Sequence, residues 1–110
     1  MSFDTRLKTG LWVAAEIRRL ETQFIPAVVL HKGDEARGMV LIKQYVHGQG
    51  ARLYSQTRDI DDNLIWHEPL GENFMEERKT DEYIARQRKF DEDLWVIEVE
   101  DNKGQYKLEN

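Results

Sequence analysis

The stretch 81–101 constrains the fold of this chain more than any other part of its sequence. Thr80 is the predicted N-cap of a helix that has acidic residues in its first turn and basic residues near its end, where the helix dipole favours each charge. A short acidic turn ends this helix. The following segment then alternates, with Trp95, Ile97 and Val99 on one side. The stretch therefore predicts a helix followed by a strand, which indicates an α+β fold.

The first third of the chain predicts another helix and another strand. Apolar residues recur at helical spacing from Thr9 to Thr22. Pro26 ends that pattern, and the run 26–33 is rich in β-branched residues without alternation. We expect this run to be a strand buried on both faces.

Three more strand patterns follow at 38–47, 51–57 and 64–69, separated by turns rich in Gly, Asp and Asn. The first of them has four consecutive apolar residues, which favours a central position in the sheet. The pattern weakens over 70–80, which we interpret as a loop or a ragged helical start. The last residues, 105–110, predict either an edge strand or a frayed tail.

Together these patterns predict a single α+β domain over residues 1–110 in the order α-β-β-β-β-α-β. Strands grouped apart from helices favour an antiparallel meander sheet, here of four to six strands, with both helices packed on one face. The last strand follows a helix and is open to parallel pairing with a strand of the meander. The sequence does not specify that partner strand.

We expect one hydrophobic core, because a chain of 110 residues buries roughly 65% of its unfolded surface. The predicted core residues are Trp12, Ile17, Leu20, Val29, Leu41, Leu53, Ile84, Phe90, Trp95 and Ile97.

The composition narrows the function classes. There is no cysteine, which excludes disulfides and thiolate chemistry, and the sequence has no apolar run long enough to span a bilayer. The net charge of −5 argues against general affinity for nucleic acid, although 16 basic residues leave room for a local basic patch. We expect a soluble cytoplasmic protein that does not enter membranes and for which a nucleic-acid partner is disfavoured.

Sequence motifs for catalysis or cofactor binding are absent. His31, His47 and His67 lie on three different elements, without metal-ligand spacing, and there is no P-loop, dinucleotide fingerprint or serine elbow. Acidic pairs are so frequent that none stands out as an acid and base. We therefore predict no metal and no cofactor, and we favour a non-enzymatic role.

One candidate binding site emerges if both helices lie on the same sheet face. Their seam would then join fixed positive charge, an amide and a carboxylate, which suits an anionic or zwitterionic ligand or an acidic side chain of a partner. The alternative is that Arg86 forms a helix salt bridge with Glu82 and Asp93 caps a turn. The candidate binding residues are Arg18, Arg19, Arg86, Gln87, Asp93 and Trp95.

Self-association is a further expectation. If both helices cover one face of the sheet, the other face stays open, and Val28, Val40, Val46 and Tyr54 would make it too apolar for water. A homodimer is the commonest way to cover such a face.

Several segments resemble a known family. They are LWVAAEIRR, IPAVVLHKGD, the ARLYS strand and above all YIARQRKFDEDLWVIEVED. These resemble an alphaproteobacterial family labelled as a domain of unknown function, number 1491. The resemblance spans about residues 7–101 and implies a stand-alone bacterial cytosolic domain, with no catalytic residues to carry over.

Three function classes remain open from the sequence. The first is a small binding or adaptor module that acts through protein contacts with an unknown partner, which the missing catalytic constellation favours. The second is a small-molecule enzyme that uses carboxylate and arginine chemistry. The third is an accessory protein associated with RNA or the ribosome.

Overall fold

A computed structural model of the protein describes residues 7–108. Two helices and five strands follow one another in the predicted order. They are α1 (Thr9–Glu21), β1 (Ala27–His31), β2 (Val40–Val46), β3 (Gly50–Arg58), β4 (Leu64–His67), α2 (Glu77–Phe90) and β5 (Trp95–Glu100). Within the described residues, neither helix is long and apolar enough to cross a membrane.

The five strands form one mixed sheet in the order β1-β5-β2-β3-β4. Only β2, β3 and β4 form the predicted antiparallel meander. The prediction that the meander also includes β1 is wrong, because β5 enters between β1 and β2. Strand β5 pairs in parallel with β2, which the sequence had left open for the last strand, so the sheet is mixed and not purely antiparallel. The central position of β5 fits the burial of Val96 and Ile97, which lie on opposite faces of the strand. As a consequence β1, predicted to be buried on both faces, is an edge strand.

The two helices pack on opposite faces of the sheet, so the prediction that both cover one face is not met. Trp12 and Leu20 of α1 share a core cluster with Ile42, whereas Ile84 of α2 shares a second cluster with Leu41. Successive residues of a strand point to opposite faces. Each helix therefore covers one side of the same central strands, and the sheet is the middle layer of three.

Most of the predicted core is confirmed. Ile17 is partly buried against the α1 cluster. Val29 and Phe90 are exceptions, with 41% and 86% of their surface exposed. Val29 is exposed because β1 is an edge strand, and Phe90 because it is the last residue of α2. The buried members are Trp12, Leu20, Leu41, Leu53, Ile84, Trp95 and Ile97.

Two boundaries differ from the predicted ones. Helix α2 begins at Glu77, three residues before the predicted N-cap, and Thr80 is a buried residue of its first turn whose hydroxyl donates to the Glu77 carbonyl. The segment after β5 is neither a strand nor a frayed tail through residue 108. Tyr106 and Leu108 are buried in the α1 cluster, so this segment is part of the cover on the α1 face.

Candidate functional site

The six predicted binding residues do not form one site, because the helices that carry them lie on opposite faces of the sheet. Arg18 and Arg19 are on α1, and Arg86 and Gln87 are on α2. No seam between the two helices exists to bring these four side chains together.

On α1, Arg19 belongs to an internal network. Its Nε and Nη2 atoms donate to the two carboxylate oxygens of Glu16 at 2.8 and 2.9 Å. The Tyr106 hydroxyl also donates to Glu16, at 2.9 Å. Hydrogen bonding to Glu16 raises the pKa of Arg19. This network fastens the C-terminal segment to α1, whereas Arg18 is exposed.

At the start of β5, the predicted site residues Asp93 and Trp95 hold the loop between β1 and β2. The Asp34 amide donates to the Asp93 carbonyl at 3.0 Å, and the Trp95 indole donates to the Asp34 carbonyl at 2.8 Å. Gly33 and Gly38 pass so close that an added Cβ would lie 2.1 and 2.5 Å from the Asp93 carbonyl oxygen. Trp95 itself is buried in the α1 cluster. Both residues therefore have a clear structural role.

On α2, the predicted residues Arg86 and Gln87 lie at the helix surface. The Arg86 guanidinium is 5.9 Å from the centre of the Tyr83 ring. The anticipated partner of Arg86, Glu82, instead accepts a hydrogen bond from Arg78 at 2.7 Å. Gln87 is partly buried, and its backbone carbonyl accepts a hydrogen bond from the backbone amide of Asp91, where the helix ends.

The most distinctive surface feature is an open groove between α2 and β1. Helix α2 packs on β2 and β3, and beside it, toward β1, the same face of the sheet stays uncovered. Two adjoining cavities of about 310 and 320 Å³ share His31, Ala85 and Arg88 and together form what we call the α2 groove. Its lining residues are Leu30, His31, Lys43, Asp81, Ile84, Ala85, Arg88, Lys89, Glu92 and Val96.

One end of the groove is acidic around a buried lysine. Lys43 is only 3% exposed, and its ammonium group donates to Glu77 and to Asp81, the latter at 2.8 Å, and lies 3.1 Å from Glu98. Burial alone lowers the pKa of Lys43, but the hydrogen bonds to Asp81, Glu77 and Glu98 outweigh it and raise the pKa above its usual value. Three carboxylates around one cation leave this end with a net negative charge.

The other end of the groove is basic. Arg88 and Lys89 line it together with His31 and one acid, Glu92. The His31 Nδ1–H donates to the Leu94 carbonyl at 2.7 Å, because a carbonyl oxygen can only accept. That bond leaves Nε2 as the remaining polar atom of the ring, an acceptor when the ring is neutral and a donor when it is charged.

Between the charged ends the groove is apolar. Leu30, Val96, Ile84 and Ala85 line this part, and Leu30 is 49% exposed. A volume near 310 Å³ is at the lower end of the range for ligand sites. The arrangement can take an apolar side chain flanked by charge. In the described part of the chain, no group of three or more His, Asp or Glu residues is placed to hold a metal ion.

Lys43 is a functional candidate that was not predicted from the sequence, although a signal was present. The central strand VLIKQYV contains Lys43 and Gln44 side by side, and both are buried. Because neighbouring strand residues face opposite ways, Lys43 reaches the α2 side and Gln44 the α1 side. There the Gln44 amide group donates to Asp101 at 2.9 Å and to the Tyr106 carbonyl at 3.1 Å. Adjacent polar residues in a buried strand predict a polar cluster on each face.

The fold and the groove define a class: a small α+β domain with a mixed five-stranded sheet, one helix on each face, and a charged, partly apolar groove beside the edge strand. The chain belongs to the DUF1491 family, described as a protein of unknown function, whose profile matches residues 7–109. The family resemblance seen in the sequence is thereby confirmed. Curated proteins gave no significant sequence match.

Solved structures of this family are closely similar. A crystal structure of a DUF1491 family protein from Caulobacter crescentus has 39% identity and a TM-score of 0.80, covering 90% of this chain and 92% of its own. An NMR structure of a DUF1491 family protein from Caulobacter crescentus has 40% identity and a TM-score of 0.81, with 93% and 92% covered. The solution structure of protein Atu0922 from A. tumefaciens has 30% identity and a TM-score of 0.76, with 89% and 88% covered.

Proposed function

We propose that this protein is a small cytoplasmic binding module that acts through contacts with a partner protein, and that the partner docks in the α2 groove. The occupant is a segment that presents an apolar side chain next to an acidic one. The apolar side chain packs over the exposed Leu30 and Ala85, and the carboxylate pairs with Arg88. The observation that carries this proposal is the exposed apolar surface of Leu30 and Ala85 between two ends of opposite charge.

The charge distribution supports contact between a carboxylate of the partner and the basic end of the groove. Arg88 and Lys89 are exposed at the surface of α2, where a partner's carboxylate would reach them. A guanidinium binds a carboxylate through two parallel hydrogen bonds, which fixes orientation as well as charge. The acidic end around Lys43 repels the same carboxylate, so the segment has a preferred direction along the groove.

The state of Lys43 favours binding over catalysis. A lysine acts as a nucleophile or base when its amine is neutral, which requires a lowered pKa. Here the pKa is raised, so the amine stays protonated. The same acidic cluster, with the net charge of −5, also disfavours a nucleic-acid backbone as the ligand.

Only some of the binding residues predicted from the sequence lie near the α2 groove. Arg86 and Gln87 lie on the helix that forms one wall of the groove, so a partner larger than a single segment would contact them. Arg18 and Arg19 lie on the opposite side of the sheet and remain a prediction for a separate surface.

Selection from a displayed random peptide library on the purified protein tests the proposal. We expect enriched peptides to carry Asp or Glu within a few positions of Leu, Ile or Phe. Binding of those peptides should fall at least about tenfold with Arg88→Glu, because that change replaces attraction with repulsion. Ala85→Trp, which fills the groove, should also abolish it.

Arg86→Glu is the matched control, since it makes the same change of charge two residues away but outside the groove lining. Peptide binding should be nearly unchanged in this variant. Equal losses with Arg86→Glu and Arg88→Glu would mean that only net charge matters. That result, or selected peptides that bind Ala85→Trp as well as the unmodified protein, would overturn the groove as the docking site.

A further inference from the structure

The free edge of β1 is an unusually apolar strand edge. Val28, Val29 and Leu30 are consecutive and are 49%, 41% and 49% exposed. Proteins usually protect such edges with charged residues or proline, because the unpaired backbone groups invite another strand. Within β1 neither a charged residue nor a proline is present. The edge carries one protective feature, a bulge at Leu30 between Val29 and His31, which confines regular pairing to the first part of the strand.

The backbone groups available at this edge follow from the pairing with β5. The Glu100 amide donates to the Pro26 carbonyl. Since hydrogen-bonding direction alternates along an antiparallel pair, the polar groups of Val28 also point toward β5, and those of Ala27 and Val29 point away from the sheet. The outward-pointing N–H and C=O groups of Ala27 and Val29, with Val28 between them, allow a second antiparallel strand to form regular hydrogen-bonded pairs with this edge.

We infer that β1 pairs with β1 of a second copy of this chain, antiparallel and about a two-fold axis at Val28. Ala27 of each copy then forms a hydrogen-bonded pair with Val29 of the other. The two sheets join into one continuous sheet, in which both α2 grooves lie on the same face. A closed two-fold arrangement uses the same patch twice and leaves no free edge for further growth.

Charge supports a second copy as the occupant. Next to the first half of β1, on the α2 face, lie Glu98 and Glu100, while His31 and Arg88 lie at its far end. Antiparallel pairing places the acidic end of one copy beside the basic end of the other. The surface is therefore complementary to itself in charge as well as in apolar character.

The exposed ring of Phe24 extends this surface. It is 94% exposed, and its backbone has a φ of 59°, a left-handed conformation that glycine adopts more readily. Phe24 lies two residues before Pro26, so in the antiparallel arrangement it falls near the far end of the partner's β1. Burial of this ring adds apolar area to an interface that is otherwise only one strand wide.

The second copy also completes the α2 groove. In a single chain the groove has α2 as one wall and is open beyond β1. In the pair, the partner's β1 and α2 bound that open side and turn two half-open grooves into one trough. The inference that a partner segment docks in this trough rests on the proposed function, whereas the pairing of the two chains is tested without any ligand.

Sedimentation equilibrium and light scattering of the full chain test the pairing. At about 200 μM, where a contact of this small size is populated, we expect a mass of twice 13.1 kDa. Val28→Lys places two like charges together at the axis and should give a monomer. Val28→Thr keeps the shape without the charge and should retain the dimer. Circular dichroism should be the same for all three proteins.

Amide hydrogen exchange at high and low concentration identifies the interface. The amides of Ala27 and Val29 should become protected as concentration rises, whereas that of Ile60, exposed at the β3–β4 turn, should not change. A monomer at about 200 μM overturns the inference, as does a dimer that persists in Val28→Lys without protection at Ala27 and Val29. A monomeric protein that still selects groove peptides would overturn the pairing alone, and a dimer that selects none would overturn the proposed function alone.

Discussion

The two faces of the sheet are covered to different extents. The α1 face carries a large cluster that includes Trp12, Trp66, Trp95 and Tyr106, and it is closed by both α1 and the segment after β5. The α2 face carries a smaller cluster under one helix and leaves the groove beside β1 open. Buried apolar area is the main source of stability. The closed face therefore accounts for more of the stability, and the open face provides the accessible groove.

Polar groups are also used differently on the two faces. On the α1 side, Gln44, Asp101 and Tyr106 form hydrogen bonds within the protein that fix the C-terminal segment. On the α2 side, buried Lys43 is surrounded by carboxylates that remain partly exposed, with 53% for Asp81 and 19% for Glu98. The first network is internal, and the second borders a groove that solvent or a partner can enter.

The closed core is tested most strongly by comparing the centre of the sheet with its edge, since Ile97 and Val29 are paired across β5 and β1 on the α1 face. Ile97 is 2% exposed and Val29 is 41% exposed. Ile97→Ala should lower the free energy of unfolding by about 2–5 kcal/mol, because it leaves a cavity in the closed core. Denaturant unfolding measures this loss.

Val29→Ala, in the neighbouring strand, is the matched control. It should lower the free energy of unfolding by less than about 1 kcal/mol, because truncating a half-exposed side chain removes less buried surface. Similar losses in the two variants would show that the edge is as well covered as the centre, contrary to the structure.

The second prediction concerns Lys43. Lys43→Met should lower the free energy of unfolding by about 1–3 kcal/mol, because it removes charge-assisted hydrogen bonds and leaves Glu98 without its cation. The loss stays below that of Ile97→Ala, since the three carboxylates retain some access to water. A variant as stable as the unmodified protein would show that the cluster contributes nothing to holding α2 on the sheet.

The stability of the unmodified protein should also depend on pH through Lys43. Its pKa is raised above the usual 10.5 in the folded state, so the folded chain binds this proton more tightly than the unfolded chain. The contribution is complete below about pH 10.5 and is lost as the pH rises further. The free energies of unfolding of the unmodified protein and of Lys43→Met, measured from pH 9 upward, should therefore differ by a constant amount up to about pH 10.5 and converge above it. Convergence that is already complete below about pH 10.5 would contradict the raised pKa.

The smallest effect is expected from substituting exposed arginines on the two helices. Arg18→Ala and Arg86→Ala should each change the free energy of unfolding by less than about 0.5 kcal/mol, and the double variant should equal the sum of the two. Additivity is expected because the sheet separates them. A coupling above about 0.5 kcal/mol would mean that the two residues share a site, as the sequence alone suggested.

The sequence by itself determined the type and order of every element. Apolar spacing placed α1 over nearly its exact length, from Thr9, and the unbroken apolar run at the start of β2 placed that strand centrally. Alternation in β5 placed Ile97 and Val96 on opposite faces, but it did not show that both of these residues are buried. These features are local, because side-chain direction repeats every two residues in a strand and every 3.6 in a helix.

Only the tertiary structure decided which elements meet. An apolar stripe shows that one side of a helix is buried, but it does not show which face of the sheet the helix packs on. The prediction that Arg19 and Arg86 meet at a seam between the two helices was therefore wrong. Likewise, the pattern of β1 does not show that β5 lies between it and β2, which leaves Val28 and Leu30 at an edge. Strand order and helix placement depend on contacts between residues far apart in the chain, which local periodicity does not encode. The α2 groove results from these contacts, since α2, β1 and Lys43 come together only in the folded protein.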